Sequence, residues 1–149
     1  MYHKNLWQLP IPPDQDLSNI RLANGIHYEC LAPLSKYGVH YVDQDSEEVE
    51  IHLTYEAVCE PNRLGDGHLD QPGRYRGTIR IEDETIEVDA FGMRDRSWGV
   101  RSQIGSTLHP GAPNKNGGYT YATMSDQDAW QIITMNLGEG YFGIHGFLL

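Results

Sequence analysis

The chain is short of cysteine and of positive charge, and it has no long apolar run. Two cysteines in 149 residues, Cys30 and Cys59, are too few for a disulfide framework. Both fall in stretches where apolar and polar residues alternate, so they read as small buried hydrophobes in a reducing, cytoplasmic setting. Eleven Lys and Arg stand against 21 Asp and Glu, a net charge of −10. A field of that sign repels phosphate backbones and anionic lipid surfaces, which argues against nucleic acid as a partner. Nothing approaches eighteen consecutive apolar residues and no basic segment precedes an apolar one, so neither membrane insertion nor secretion is expected.

Several signatures of catalysis are missing too. There is no phosphate-binding Gly-x-x-x-x-Gly-Lys-Ser/Thr, no Gly-x-Ser-x-Gly elbow, no Cys-x-x-Cys and no His-Glu-x-x-His. Nucleotide hydrolysis, serine-type α/β hydrolysis and zinc proteolysis are disfavoured accordingly. The seven histidines, at positions 3, 27, 40, 52, 68, 109 and 145, show no local ligand spacing. Glu50 and His52 share a strand face and offer two metal ligands, but a solvated face explains them more simply, and no metal or cofactor is expected.

What the chain does have is period two, the spacing that sends successive side chains to opposite faces of a strand. Residues 1–24, with Pro10, Pro12 and Pro13, read as an irregular arm; residues 25–149 read as one β domain. Ile26, Tyr28 and Cys30 open the pattern, and a short strand covers about Gly38 to Val42. After the acidic loop Asp43 to Glu48 comes the clearest strand, in which Val49, Ile51, Leu53, Tyr55 and Ala57 alternate with Glu50, His52, Thr54 and Glu56. Tyr75, Ile79 and Ile81 face Ile86, Val88 and Ala90 across a hairpin tipped by Glu82-Asp83-Glu84. A Gly/Pro/Asn-rich loop over Gly105 to Gly118 leads to strands at Tyr119 to Met124, Trp130 to Asn136 and Tyr141 to Leu149. Ser125 to Asp128 offers a helix cap, yet β-branched Ile132, Ile133 and Thr134 favour a strand. The chain is therefore expected to be all-β, an antiparallel sheet curved into a barrel or sandwich.

Two clusters carry chemistry. His68-Leu69-Asp70-Gln71-Pro72-Gly73 puts an imidazole, a general acid or base near neutral pH, before the hairpin, with Gln71 as its hydrogen-bond partner. A turn at Pro72-Gly73, with His68 bonded to backbone, is the plainer alternative. Phe91 to Arg101 packs Arg94, Asp95, Arg96, Ser97, Trp98 and Arg101 between glycines. There the arginines hold Asp95 ionised, and Trp98 supplies a flat wall for a ligand or a face for a cation. The same network equally suits a latch that locks one end of a barrel.

Together, His68-x-x-Gln71-Pro72-Gly73 and Val88-Asp89-Ala90-Phe91-Gly92-Met93-Arg94-Asp95-Arg96-Ser97-Trp98-Gly99-Val100-Arg101 resemble the Arg-Asp-His-Ser-Trp-Gly signature of the hydroxyneurosporene synthase (carotenoid 1,2-hydratase) family. The resemblance implies a lipocalin-like, calycin-type β-barrel, and water addition to, or cyclisation of, an apolar alkene. Arg96 stands where many relatives carry His, which removes one candidate proton donor; the arginines around Asp95 lower its pKa, so His68 is the better acid, with Asp95 orienting it or pairing with Arg94. Gln71, Arg94, Ser97, Trp98, Arg101, Tyr119 and Tyr121 would contact the ligand, the aromatic rings stabilising a cation. Members of that family carry two consecutive barrels. With the apolar ending Phe147-Leu148-Leu149, this points to an incomplete barrel closed by a second domain or by a homo-oligomer. A non-catalytic module that binds a ligand or a partner is the competing expectation.

Overall fold

A computed structural model describes residues 12–98, 117–136 and 140–149. Among these residues there is no helix, hence none long and apolar enough to cross a membrane, and the strands are β1 (Asn19–Arg21), β2 (Ile26–Ala32), β3 (Lys36–Val42), β4 (Val49–Ala57), β5 (Asn62–Arg63), β6 (His68–Ile81), β7 (Glu84–Ser97), β8 (Gly117–Thr123), β9 (Ala129–Asn136) and β10 (Tyr141–Leu148). The expectation of an antiparallel all-β chain holds. Seven strands follow the order β1-β2-β3-β4-β6-β5 with β7 on β6, and β10-β9-β8 form a separate three-stranded sheet. The described strands close no barrel.

Two compact units divide the chain, Met1–Ala57 with Arg74–Ala90, and Val58–Gly73 with Phe91–Leu149. In the first unit, β2, β3 and β4 are joined by tight antiparallel registers that place Cys30, Tyr37 and Tyr55 opposite one another, and likewise His27, His40 and His52. Because strand side chains alternate, tyrosines line one face of this sheet and histidines the other. The tyrosine row is the core: Tyr28 stacks on Tyr37, and Tyr55, 1% exposed, lies between Tyr37 and Tyr75 at ring distances of 6.1 and 5.1 Å. Where β4 meets β6, Gly77 is required, since its φ is +144° and a Cβ there would fall 1.9 Å from the His52 carbonyl oxygen. β1 lies within the segment read as irregular; Ile20 pairs with Tyr28 there.

The loop before β4 is organised by Asp43. Its carboxylate accepts the Ser46 hydroxyl at 2.8 Å and the backbone N–H groups of Asp45 and Ser46. These donors, the Ser46 hydroxyl first, hold its pKa below the usual carboxylate value.

In the second unit β5 pairs with the start of β6, setting Asn62 opposite Asp70. Here strands run further than local sequence suggests. The segment His68 to Gly73 lies in β6 and Phe91 to Ser97 lies in β7, not in loops. Pro72 is buried inside a strand; it has no N–H to leave unpaired, while its carbonyl accepts the Val58 N–H at 3.1 Å. Residues 129–136 form β9 and not a capped helix, with Ile132 paired to Thr120 and Gly146. Leu148 is 84% exposed, while the following Leu149 N–H bonds the Ala129 carbonyl at 2.8 Å.

Candidate functional site

His68 and Asp70 are two residues apart on β6, and Asp95 and Ser97 are two apart on β7, so each pair projects to one side of its strand. The four side chains meet in the second unit. His68 Nε2 lies 2.9 Å from Asp70 Oδ2, and its Nδ1 lies 2.8 Å from Ser97 Oγ. Asp95 Oδ1 is 3.6 Å from His68 Nδ1 and accepts the Ser97 hydroxyl at 3.4 Å. Tyr119, from β8, donates its hydroxyl to the second oxygen of Asp70.

Asp70 is the anchor of the cluster. It is fully buried, and each of its two oxygens has a donor, so its desolvation is met by hydrogen bonds. Burial first, then the hydrogen bond to Asp70, pushes the Tyr119 hydroxyl pKa far above the ordinary phenol value. Tyr119 thus remains a donor at any working pH. With Nε2 directed at buried Asp70, His68 turns Nδ1 towards Ser97 Oγ, on the flank where Asp95 is exposed. Its side chain is 18% exposed and that of Asp95 is 54%, which sets a water-accessible flank beside a buried one.

The arrangement offers proton transfer at His68 Nδ1. It also offers metal ligands: one atom each from His68, Asp70 and Asp95 lie within 4.8 Å of one another.

The remaining residues singled out from sequence are distributed unevenly. Gln71 points away from His68; its amide donates to the Cys59 carbonyl at 2.8 Å, and Asp70 takes the place expected of it. Strand alternation is the reason, since Gln71 and His68 are three positions apart. Arg94 and Arg96 flank Asp95 in sequence and therefore leave its strand on the other side, and the described partners of Asp95 are His68 and Ser97. Trp98 is exposed, with its backbone N–H on the Gly67 carbonyl at 2.9 Å. Exposed Tyr121 packs edge-on against Tyr119 with centroids 5.9 Å apart. Arg101 lies outside the described residues.

Three residues escaped the sequence reading. Asp70 carries a signal in hindsight, the His-x-Asp spacing on a strand. Gln131 on β9 carries none; it is 2% exposed and its amide nitrogen and oxygen have no hydrogen-bond partner among the described residues. His145 Nε2, on β10, accepts a hydrogen bond from Asn62 Nδ2 at 2.9 Å, a contact across 83 residues. An open groove of about 630 Å³ runs along β9 and β10, lined by Trp130, Ile132, Ile144 and Phe147 and floored by Gly143 and Gly146. That volume suits a small molecule. His68, Asp70 and Ser97 are not among its lining residues, so the groove and the polar cluster are separate features.

No curated protein and no solved structure matches the chain. A model of the family described as a domain of unknown function, DUF7064, matches residues 1–139, and the chain belongs to that family.

Proposed function

We propose that the chain binds an apolar, alkene-bearing small molecule and moves a proton on it through His68, giving hydration, isomerisation or cyclisation. The observation that carries this reading is the imidazole held between buried Asp70 and Ser97, with Nδ1 on the side of exposed Asp95. In this mechanism Nδ1 delivers a proton to one alkene carbon. The exposed rings of Trp98, Tyr119 and Tyr121 stabilise the cation, water adds to the other carbon, and the water's proton returns to Nδ1. Asp70 serves as the orienting carboxylate, and Asp95 with Ser97 positions the water. The likeness of residues 66–101 to the hydroxyneurosporene synthase signature supports the substrate class, as does the net charge of −10, which favours an uncharged ligand. A lipocalin-like barrel, completed by a second copy or a further domain in a cytoplasmic setting, is the architecture proposed with it.

The test uses N-phenyl-1-naphthylamine as a neutral apolar probe, followed by incubation with terpenoid alkenes in D₂O and mass spectrometry. Probe binding is expected to persist within about twofold in His68→Ala, while deuterium incorporation is lost, a drop of at least about 100-fold for a general acid–base group. Equal incorporation in the variant sinks the proton-transfer role. Binding without any incorporation by the native chain favours the second reading, a non-catalytic binding module.

A further inference from the structure

The histidine face of the first unit holds a second constellation. His40 on β3 and His52 on β4 are directly opposed in register, and their Nδ1 atoms face each other at 3.1 Å. The other nitrogen of each ring is turned to a carboxylate: His40 Nε2 lies 3.3 Å from Glu29 Oε1, and His52 Nε2 lies 2.5 Å from Glu50 Oε1. An ionised carboxylate only accepts, so each Nε2 must carry the proton. Both Nδ1 atoms then present lone pairs to one another, a repulsive contact unless something positive lies between them.

The surroundings maintain that arrangement. Arg80 grips the free oxygen of Glu50 through Nε and Nη2 at 3.1 and 2.9 Å, leaving Oε1 to His52. The contact with His52, followed by that with Arg80, holds the Glu50 carboxyl below its ordinary pKa. Gly38 leaves the space that Glu29 needs; a Cβ there would sit 2.7 Å from the Glu29 carboxylate and 2.8 Å from His40 Nε2. His27 stacks on His40 at 5.3 Å with its own Nε2 on Asn19, and so walls the site without entering it.

We propose that His40 Nδ1 and His52 Nδ1 form a two-nitrogen site for a divalent transition ion such as Zn²⁺, with Glu29 and Glu50 as the outer carboxylates. Two Zn–N bonds of about 2.05 Å span 3.1 Å at an angle near 100°, close to the tetrahedral angle. Carboxylates on the far nitrogens fix the tautomer and ring orientation and raise ligand basicity, the usual outer-shell pattern of metal-bound histidine. Water fills the remaining positions. This proposal is independent of the chemistry assigned to His68.

Zinc titration of the full chain near pH 7.5, by calorimetry and by long-range ¹H–¹⁵N spectra of the imidazoles, tests it. A parallel series in His68→Gln keeps ions at the other cluster from being counted. One equivalent should bind, moving the Nδ1 resonances of His40 and His52 and not their Nε2 resonances. His40→Gln and His52→Gln should each remove it, and Glu29→Gln should weaken it about tenfold. Their far-UV circular dichroism should match the native chain, since both imidazoles lie at the surface. Binding that survives in His40→Gln or His52→Gln, zinc shifts confined to other histidines, or a proton found on Nδ1 of either ring in the metal-free protein overturns the proposal.

Discussion

Asp70 shows how one residue sets the character of the candidate site. It is wholly buried yet meets two donors, and removing either leaves an acceptor desolvated without compensation. Tyr119→Phe should therefore cost about 1–3 kcal/mol of stability, measured by urea denaturation, because the Asp70 oxygen it served loses its donor. Gln131 makes the opposite prediction. Its amide is buried without partners among the described residues, so Gln131→Met, which keeps length and removes the polar atoms, should hold or raise the urea midpoint. A large loss there would mean that the amide is bonded in solution. Tyr55 represents the ordinary case of a large core side chain; Tyr55→Ala should cost roughly 3–5 kcal/mol, the range for aromatic truncation.

Among the elements, β6 and β7 explain why the site was only half visible in sequence. Their hairpin was recognisable near the tip, where apolar residues alternate cleanly, but its outer portions contain Pro72, Gly73, Gly92 and several charges. Those residue types favour turns when judged locally. Strand pairing overrides that preference here, because β5 binds the start of β6 and Trp98 bonds Gly67 beyond the end of β7. The extension turns two presumed loops into paired strands and brings His68 against Ser97. The β4–β6 junction is sensitive to substitution at Gly77. Gly77→Ala puts a methyl into the His52 carbonyl and an L-residue at φ +144°, so it should cost at least about 1–3 kcal/mol from backbone strain alone. Loss of amide protection in β4 under hydrogen exchange would locate the damage.

For the molecule as a whole, carboxylates dominate the response to pH. Asp43, Glu50 and Asp89 all have pKa values below the ordinary range, Asp89 chiefly through its hydrogen bonds from Arg74. A pKa lowered on folding stabilises the native state at pH above the unfolded value, and that contribution disappears as pH falls through the lower, folded value. These carboxylates should make the urea midpoint decline below about 4, after a smaller loss that begins below about 6.5, where burial holds the His27 pKa under its ordinary value. Asp89→Asn should shallow the decline; an unchanged profile would remove Arg74–Asp89 from the explanation. The same excess of acid predicts no anisotropy change for a labelled DNA duplex at about 0.1 M salt, and saturable binding there would overturn the exclusion of nucleic acid.

Period-two alternation, the spacing of turn residues and the imbalance of charge are local or additive properties, and the sequence alone determined from them an antiparallel all-β chain with a net charge of −10. It also exposed His68, Asp95 and Ser97, because chemistry-bearing types stood out within short windows. Only the tertiary structure decided which of them touch. Asp70 displaced Gln71 as the partner of His68, Tyr119 arrived from 49 residues away, and His40 met His52 across a strand register. Contacts of that kind depend on which strands pair and on which face each side chain leaves, and a one-residue slip in register would exchange the faces and dissolve both sites.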